Sequence, residues 1–288
     1  MSAIAYVTDS KMLELHRLNN HKTMNFWRVS TNVNFSDFSK GDLVFFLSKD
    51  KEHKKKNEKG IVGFGRLLDI GVGSTQTMWK KYGIYNGYTT LSDFKEAIIK
   101  VTKDKKLPKK ISSFYLENVT FFQPVYLSEC GISISNKVES YIYLKDEETV
   151  MKLLRLARKS TDLWASLSDN TDAIETEEAL YSLFATHKQI KDIPMSEKTI
   201  KRAKRNLKAF RETHKGYDNI QGSDSELYKI DGHSLEIVMY HDKEIEDKLL
   251  IGQAKLYKDR LNELLDYRYN IEFRTSDHKK QLEKYMNK

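Results

Sequence analysis

The sequence predicts an α+β protein in two parts, a mixed β pseudo-barrel followed by a mostly helical half. Three observations predict it. Short apolar and aromatic runs separated by turn signals fill the first half, whereas after Asp146 apolar residues recur at helical spacing. Two short amphipathic segments interrupt the β-region, which then resumes, an order that suits a closed mixed barrel better than a sandwich. A chain of 288 residues with 39% apolar and 31% charged residues and only 3 Pro can bury a full core and carry much regular structure. A boundary is expected near residue 147, giving domains 1–147 and 148–288.

In the first domain, 4–7 reads as a strand and 10–18 as a short helix. Asn25 to Val29, Leu43 to Leu47 and Ile61 to Leu68 are the next strands, the last interrupted by Gly63 and Gly65. Glycine inside a strand pattern marks a bulge or a close approach of another backbone. Residues 49–59 hold six lysines and read as a solvated hairpin loop or a phosphate-touching finger. Thr75 to Tyr82 and Leu91 to Val101 are helices, with Asn86-Gly87 turning the chain between them and Thr90 or Ser92 as cap. Strands resume at 113–122 and 137–144.

In the second domain helices are expected at 147–166, 177–185, 196–214, 242–265 and 277–286, with Ser196 capping the third helical segment of that list. Strands are expected at 234–240 and 267–274, and 168–175 and 216–232 read as polar connections.

The net charge of +8 favours a polyanionic partner, because counterion release drives Lys and Arg onto phosphates. The one cysteine, Cys130, excludes an internal disulfide and any Cys-based zinc site. No apolar run of ~18 residues and no basic-then-apolar leader is present, so a soluble, cytoplasmic protein with no membrane partner is expected.

One constellation gathers aromatic and polar groups: Asn25, Trp27, Arg28 and Ser30 with Trp79, Tyr82, Tyr85 and Asn86. An indole face stacks on a base, Asn or Ser reads the base edge, and Arg holds a phosphate. The other reading of both tryptophans is core packing. The order Asn25-Phe26-Trp27-Arg28, Gly41-Asp42 before an aromatic strand, Ile61-Val62-Gly63 with Gly65, and Trp79-Lys80-Lys81-Tyr82-Gly83 with Asn86-Gly87 resembles the PUA-like domain that fronts a group of bacterial HNH endonucleases. That superfamily includes the EVE, YTH and ASCH domains. The resemblance spans roughly residues 4–144 and implies a reader of a single nucleotide, a modified base above all.

The nuclease half of that group is not found. An HNH site needs a His base, an orienting Asn and metal ligands in a ββα unit; of His214, His233, His241 and His278, the pair His233 and His241 flanks a predicted strand, with no Asn before the following helix. A PD-(D/E)XK site needs Glu-x-Lys, and Glu236 is followed two positions on by Val238. A non-catalytic reader is therefore expected: no catalytic residue, metal or cofactor is assigned, and His233, Glu236 and His241 are the candidates should the chain be a nuclease.

On the helix 196–214, Lys201, Lys204, Arg205 and Lys208 fall at i, i+3, i+4 and i+7 and share one face opposite Ile200, Ala203, Leu207 and Phe210. That face is either solvated or phosphate-tracking. The amphipathic segment 242–265 packs, and offers a surface for a homodimer or an effector subunit. The expectation is a nucleic-acid-binding protein, DNA favoured over RNA, that recognises a modified base in bacterial restriction or defence. Its rivals are a metal-dependent endonuclease with a divergent C-terminal site and an RNA-binding PUA-like protein.

Overall fold

The computed structural model describes residues 3–31, 35–53, 58–132, 140–160 and 170–288, and the chain divides into two compact units at Ile174/Glu175. The first unit contains β1 (Ala3–Thr8), α1 (Ser10–Leu18), β2 (Met24–Arg28), β3 (Leu43–His53), β4 (Glu58–Gly73), α2 (Thr75–Tyr82), α3 (Leu91–Val101), β5 (Ile111–Val125), β6 (Tyr141–Leu144) and α4 (Glu147–Lys159). The strands form one mixed sheet in the order β2-β5-β4-β3-β1-β6, with β1 parallel to β3 and the remaining pairs antiparallel.

Three strands separate β1 from β2 in that sheet, yet Tyr6 of β1 meets Phe26 of β2 with ring centroids 5.1 Å apart. The sheet is therefore curled round on itself, and Phe26, Phe46, Phe114 and Phe121 fill its interior. Each fully buried phenyl group contributes about 1.5–3 kcal/mol relative to exposure. The curl comes from the register shifts along β4 and β5. At Gly63, a Cβ would stand 2.6 Å from the Thr120 carbonyl oxygen, so only glycine admits this approach of the two strands.

Two expectations shift in this unit. The Lys-rich 49–59 segment is partly strand, because the ladder pairs Glu52 with Lys59 and His53 with Glu58, and such a ladder satisfies backbone groups whatever the side chains; the tip lies outside the described residues. The helix α4 packs on β5 and on the 3-10 turn Leu127–Cys130 of the first unit, although it begins at the residue where the sequence put its boundary. Residues 161–169, which include the end of the expected helix 147–166, lie outside the described residues.

The second unit contains most of α5 (Asn170–Ile190), then α6 (Glu197–Thr213), β7 (Asp218–Asn219), β8 (Glu226–Asp231), β9 (Ser234–Met239), α7 (Asp247–Leu264), β10 (Asn270–Thr275) and α8 (Lys280–Met286). Its sheet runs β10-β9-β8-β7; β9 and β10 are parallel, as a helical crossover through α7 allows, and the other pairs are antiparallel. Leu227, Ile237, Tyr257, Leu261 and Phe273 lie in its core. Ser196 caps α6 by accepting from the Thr199 amide at 3.2 Å, as the sequence predicts.

This half, expected to be mostly helical, also holds a four-stranded sheet. The segment 216–232, expected as a polar loop, carries β7 and β8, because β9 supplies the pairing that its polar sequence conceals. The helix expected from 242 begins at Asp247 instead. Asp242 accepts from the Glu244 amide at 2.8 Å and from the Tyr240 hydroxyl at 2.7 Å, which fixes a turn there.

Candidate nucleic-acid interface

Strand alternation sorts the β2 residues onto two faces. Phe26 and Arg28 point into the curl, where the Arg28 guanidinium lies 4.9 Å from the Phe35 ring centroid and 4.8 Å from that of Phe114. Arg28 Nε donates to Ser112 Oγ at 3.0 Å, and burial lowers the guanidinium's pKa from its ordinary value. The Ser112 hydroxyl donates in turn to the Ser30 carbonyl, so Ser30 adjoins Arg28 through the backbone, its own residue exposed.

Asn25 and Trp27 share the opposite face. Asn25 is 0% exposed and donates from Nδ2 to Asn86 Oδ1 at 2.8 Å. Asn86 donates to the carbonyls of Gly83 at 2.8 Å and Met78 at 3.3 Å, which pins the 3-10 turn Gly83–Asn86 over β2. These donations fix which way both amides point. The following Gly87 has φ +86, and a Cβ there would lie 2.1 Å from Met12 Cγ, so the turn needs glycine.

The same face leaves two buried polar atoms without a partner, the acceptor Asn25 Oδ1 and the donor Trp27 Nε1. An unmet buried polar group costs about 1–3 kcal/mol, so a complementary pair on one strand face calls for a reason. Around them stand Tyr82, stacked on Tyr115 at 5.1 Å, and Ser113, whose hydroxyl lies 3.6 Å from Met78 Sδ. Trp27 is 8% exposed, with Phe94 edge-on at 5.7 Å and Tyr88 at 6.3 Å, so its ring is largely covered and its N–H is buried as well. Trp79 is half-buried, with Phe94 at 6.0 Å. Tyr85 is exposed and lies beside His21, at 5.0 Å. The predicted set thus splits: Asn25, Trp27, Trp79, Tyr82 and Asn86 gather on one side of β2, Arg28 and Ser30 on the other.

In the second unit the cationic face of α6 forms as its spacing predicts. Ala203, Leu207 and Phe210 are buried, and Lys201, Lys204, Arg205 and Lys208 are exposed. Lys204 pairs with Asp224 at 3.0 Å, while among the described residues no ion pair reaches Lys201, Arg205 or Lys208.

The three catalytic candidates keep separate partners. His233 is exposed, with Glu175 3.9 Å away. Glu236 accepts from the Tyr217 hydroxyl and pairs with Arg274 at 2.9 Å. His241 bridges Asp277 at 2.7 Å and Asp247 at 3.2 Å, and Lys279 also holds Asp247 at 2.9 Å.

The titratable cluster that the fold does assemble was not singled out in the sequence. His187 at the end of α5 faces Glu226 of β8 at 3.1 Å and lies 3.9 Å from Asp192. The Tyr257 hydroxyl of α7 donates to Glu226 Oε2 at 2.6 Å, and Gln253 Nε2 donates to Glu226 Oε1 at 2.8 Å. Burial pushes the Glu226 carboxyl and the Tyr257 phenol up from their ordinary values. Burial also works against the His187 cation, but hydrogen bonding and the charge of Glu226 more than offset it and raise that imidazole.

No family model and no curated protein matches the chain. Among solved structures, the ASCH protein of Zymomonas mobilis is similar at 16% identity and TM-score 0.38, over 54% of this chain and 94% of that one. Two point mutants of that protein match at 15% identity with TM-scores of 0.39 and 0.40, again over 54% of this chain and over 97% and 95% of theirs. ASCH is one of the PUA-like domains named above. At these TM-scores the likeness carries no argument about this chain, and neither the HNH-type nor the EVE-type assignment gains from it.

Proposed function

We propose that this chain binds nucleic acid, seating one unpaired base against the Asn25/Trp27 face of β2 and meeting phosphates through the exposed face of α6. The observation that carries the reading is the buried pair of unsatisfied groups, Asn25 Oδ1 and Trp27 Nε1. The edge of an unpaired base offers a donor and an acceptor together and meets both needs at once. Because these atoms are shielded, the base enters as the turn 82–88 lifts from β2, and Trp79 and Tyr82 then supply the stacking faces. The finer reading is a modified base in DNA, in bacterial restriction or defence, and its support is the sequence resemblance together with the net charge. A hydrolytic role for Glu236 has no comparable support, since Tyr217 and Arg274 already occupy its carboxylate.

The test is a binding panel on the full chain, using oligonucleotides with 5-methylcytosine, 5-hydroxymethylcytosine, N6-methyladenine or unmodified bases, in DNA and in RNA. One modified DNA should bind tightest, and Trp79→Ala should weaken it by ~1–3 kcal/mol. Charge reversal at Lys201 and Lys208 should flatten the salt dependence by about 0.9 in log–log slope per lost contact on duplex DNA. Preference for RNA would move the assignment to RNA binding, and a flat panel unaffected by Trp79→Ala would remove the β2 face from it.

A further inference from the structure

The cluster at the foot of α5 joins the end of that helix and the loop after it to a strand 39 positions on from His187. His187, Asp192 and Glu226 each offer one ligand atom within 4.8 Å of the others, and all three come from the end of α5, the loop after it and the first residue of β8. Zinc at about 2.0–2.2 Å from nitrogen and oxygen ligands holds its donors on the order of 3.3 Å apart, which small side-chain rotations reach from here.

The charge balance asks for a cation. Two carboxylates face one imidazole, and among the described residues no Lys or Arg pairs with either acid. Glu226 is 2% exposed, and a carboxylate so placed must be neutralised by a proton or by a cation. The surroundings are arranged as an outer shell. The His187 ring is hydrogen-bonded to the Gly222 backbone, and its Nε2 edge lies beside that residue. Nδ1 is thereby turned toward Glu226 and the Tyr257 hydroxyl, at 3.1 and 2.6 Å. Asp192 is oriented by the Ser223 hydroxyl at 2.5 Å and the Asp224 amide at 2.8 Å. Metal-bound histidines and carboxylates are held by such outer contacts.

A second observation is independent of the ionisable groups. Gln253 is 6% exposed and gives its Nε2 to Glu226 and to the Lys191 carbonyl, which leaves its Oε1 buried without a donor. Glu226 and Gln253 also line a small cavity of about 10 Å³, together with Ser225, Tyr240 and a mostly apolar wall. Roughly that volume admits one water beside Glu226 and Gln253.

We propose that His187, Asp192 and Glu226 bind one divalent transition-metal cation of the zinc class. Mixed imidazole and carboxylate donors suit zinc, and the softer thiolate-seeking ions are disfavoured. The cation ties α5 to β8 beneath α7 and so stabilises the second unit. Imidazole and carboxylate bind a cation only when deprotonated, so uptake weakens on acidification.

The experiment strips the full chain with chelator and titrates it with Co²⁺, read by visible absorption, and then with Zn²⁺ in competition. Wild type should take up about one cation per chain and gain in melting temperature. Asp192→Asn and Glu226→Gln should each lose at least about tenfold in affinity. His241→Asn, which alters the other histidine flanked by acids, should bind as wild type does. If Glu226→Gln does not fold by circular dichroism, Asp192→Asn carries the comparison. Uptake by wild type of under roughly a tenth of an equivalent, or equal affinity in wild type and folded Asp192→Asn, would overturn the site and leave a proton-bridged network.

Discussion

Each unit buries a histidine, and the two are treated in opposite ways. His16, 0% exposed on α1, has His21 as its neighbour at 3.0 Å, and burial followed by the charge of His21 pulls its pKa down to about 3. His187 on α5 is almost as buried but faces Glu226 and Asp192, and its pKa is raised. Burial by itself makes an imidazole neutral; an adjacent carboxylate reverses the outcome. The same division runs through the polar interiors at the two sites. The β2 face of the first unit leaves neutral hydrogen-bonding atoms unmet, an arrangement that a neutral base edge can satisfy. The second unit concentrates charge at α5, the loop after it and β8, an arrangement that a proton or a cation balances.

The largest effect should follow from removing the carboxylate. Glu226→Ala leaves His187 and Tyr257 without their shared acceptor, and loss of one partner of a buried pair costs about 3–5 kcal/mol. Urea unfolding of chelator-treated protein should show it as a drop in midpoint at unchanged slope. A cost within 1 kcal/mol, on the order of an ordinary surface change, would mean that this charge is not balanced within the fold.

A smaller effect is expected on the neutral side. Asn25→Ala removes the donor to Asn86 Oδ1 and frees the turn it pins, at about 1–3 kcal/mol. Trp27→Phe removes an N–H that has no partner in the free protein and should cost stability less, while weakening nucleic-acid binding. Equal losses of stability and unaltered binding in both variants would erase the distinction between a pinning group and a reading group.

The third effect is a slope, small at any one pH step. His16 stays neutral in the folded chain down to about 3, whereas an unfolded histidine protonates near 6.5. Its contribution is therefore present above 6.5 and is lost as pH falls from there toward 3. The loss is at most about 1.4 kcal/mol per pH unit. His16→Gln should flatten the acid limb of stability against pH by up to that amount, and an unchanged limb would assign the sensitivity to other groups.

Much of the fold is legible locally. The aromatic strands, the glycines of β4 and the Asn86-Gly87 turn are each set by a few adjacent residues, and the two faces of α6 follow from helical spacing within one segment. Strand β8 is not, since its ladder depends on β9 and the Gly-, Asp- and Ser-rich residues around it hide Leu227, Tyr228 and Ile230. Nor is the state of Trp27: the sequence offers either a stacking face or core packing, and the approach of Phe94 and Tyr88 decides for a largely covered ring.

What the sequence determined by itself is what periodicity and backbone chemistry determine: an α+β chain, its helix caps, its glycine-dependent turns and a cationic helix face. Only the tertiary structure decided which polar groups end beside one another. Asn25 meets Asn86 across 61 positions and His187 meets Glu226 across 39, through strand pairing and helix packing that no local pattern encodes. A side chain's type states what it can bind. Its protonation and its partners come from neighbours brought in from elsewhere in the chain, because electrostatic and hydrogen-bond energies fall off within a few ångströms.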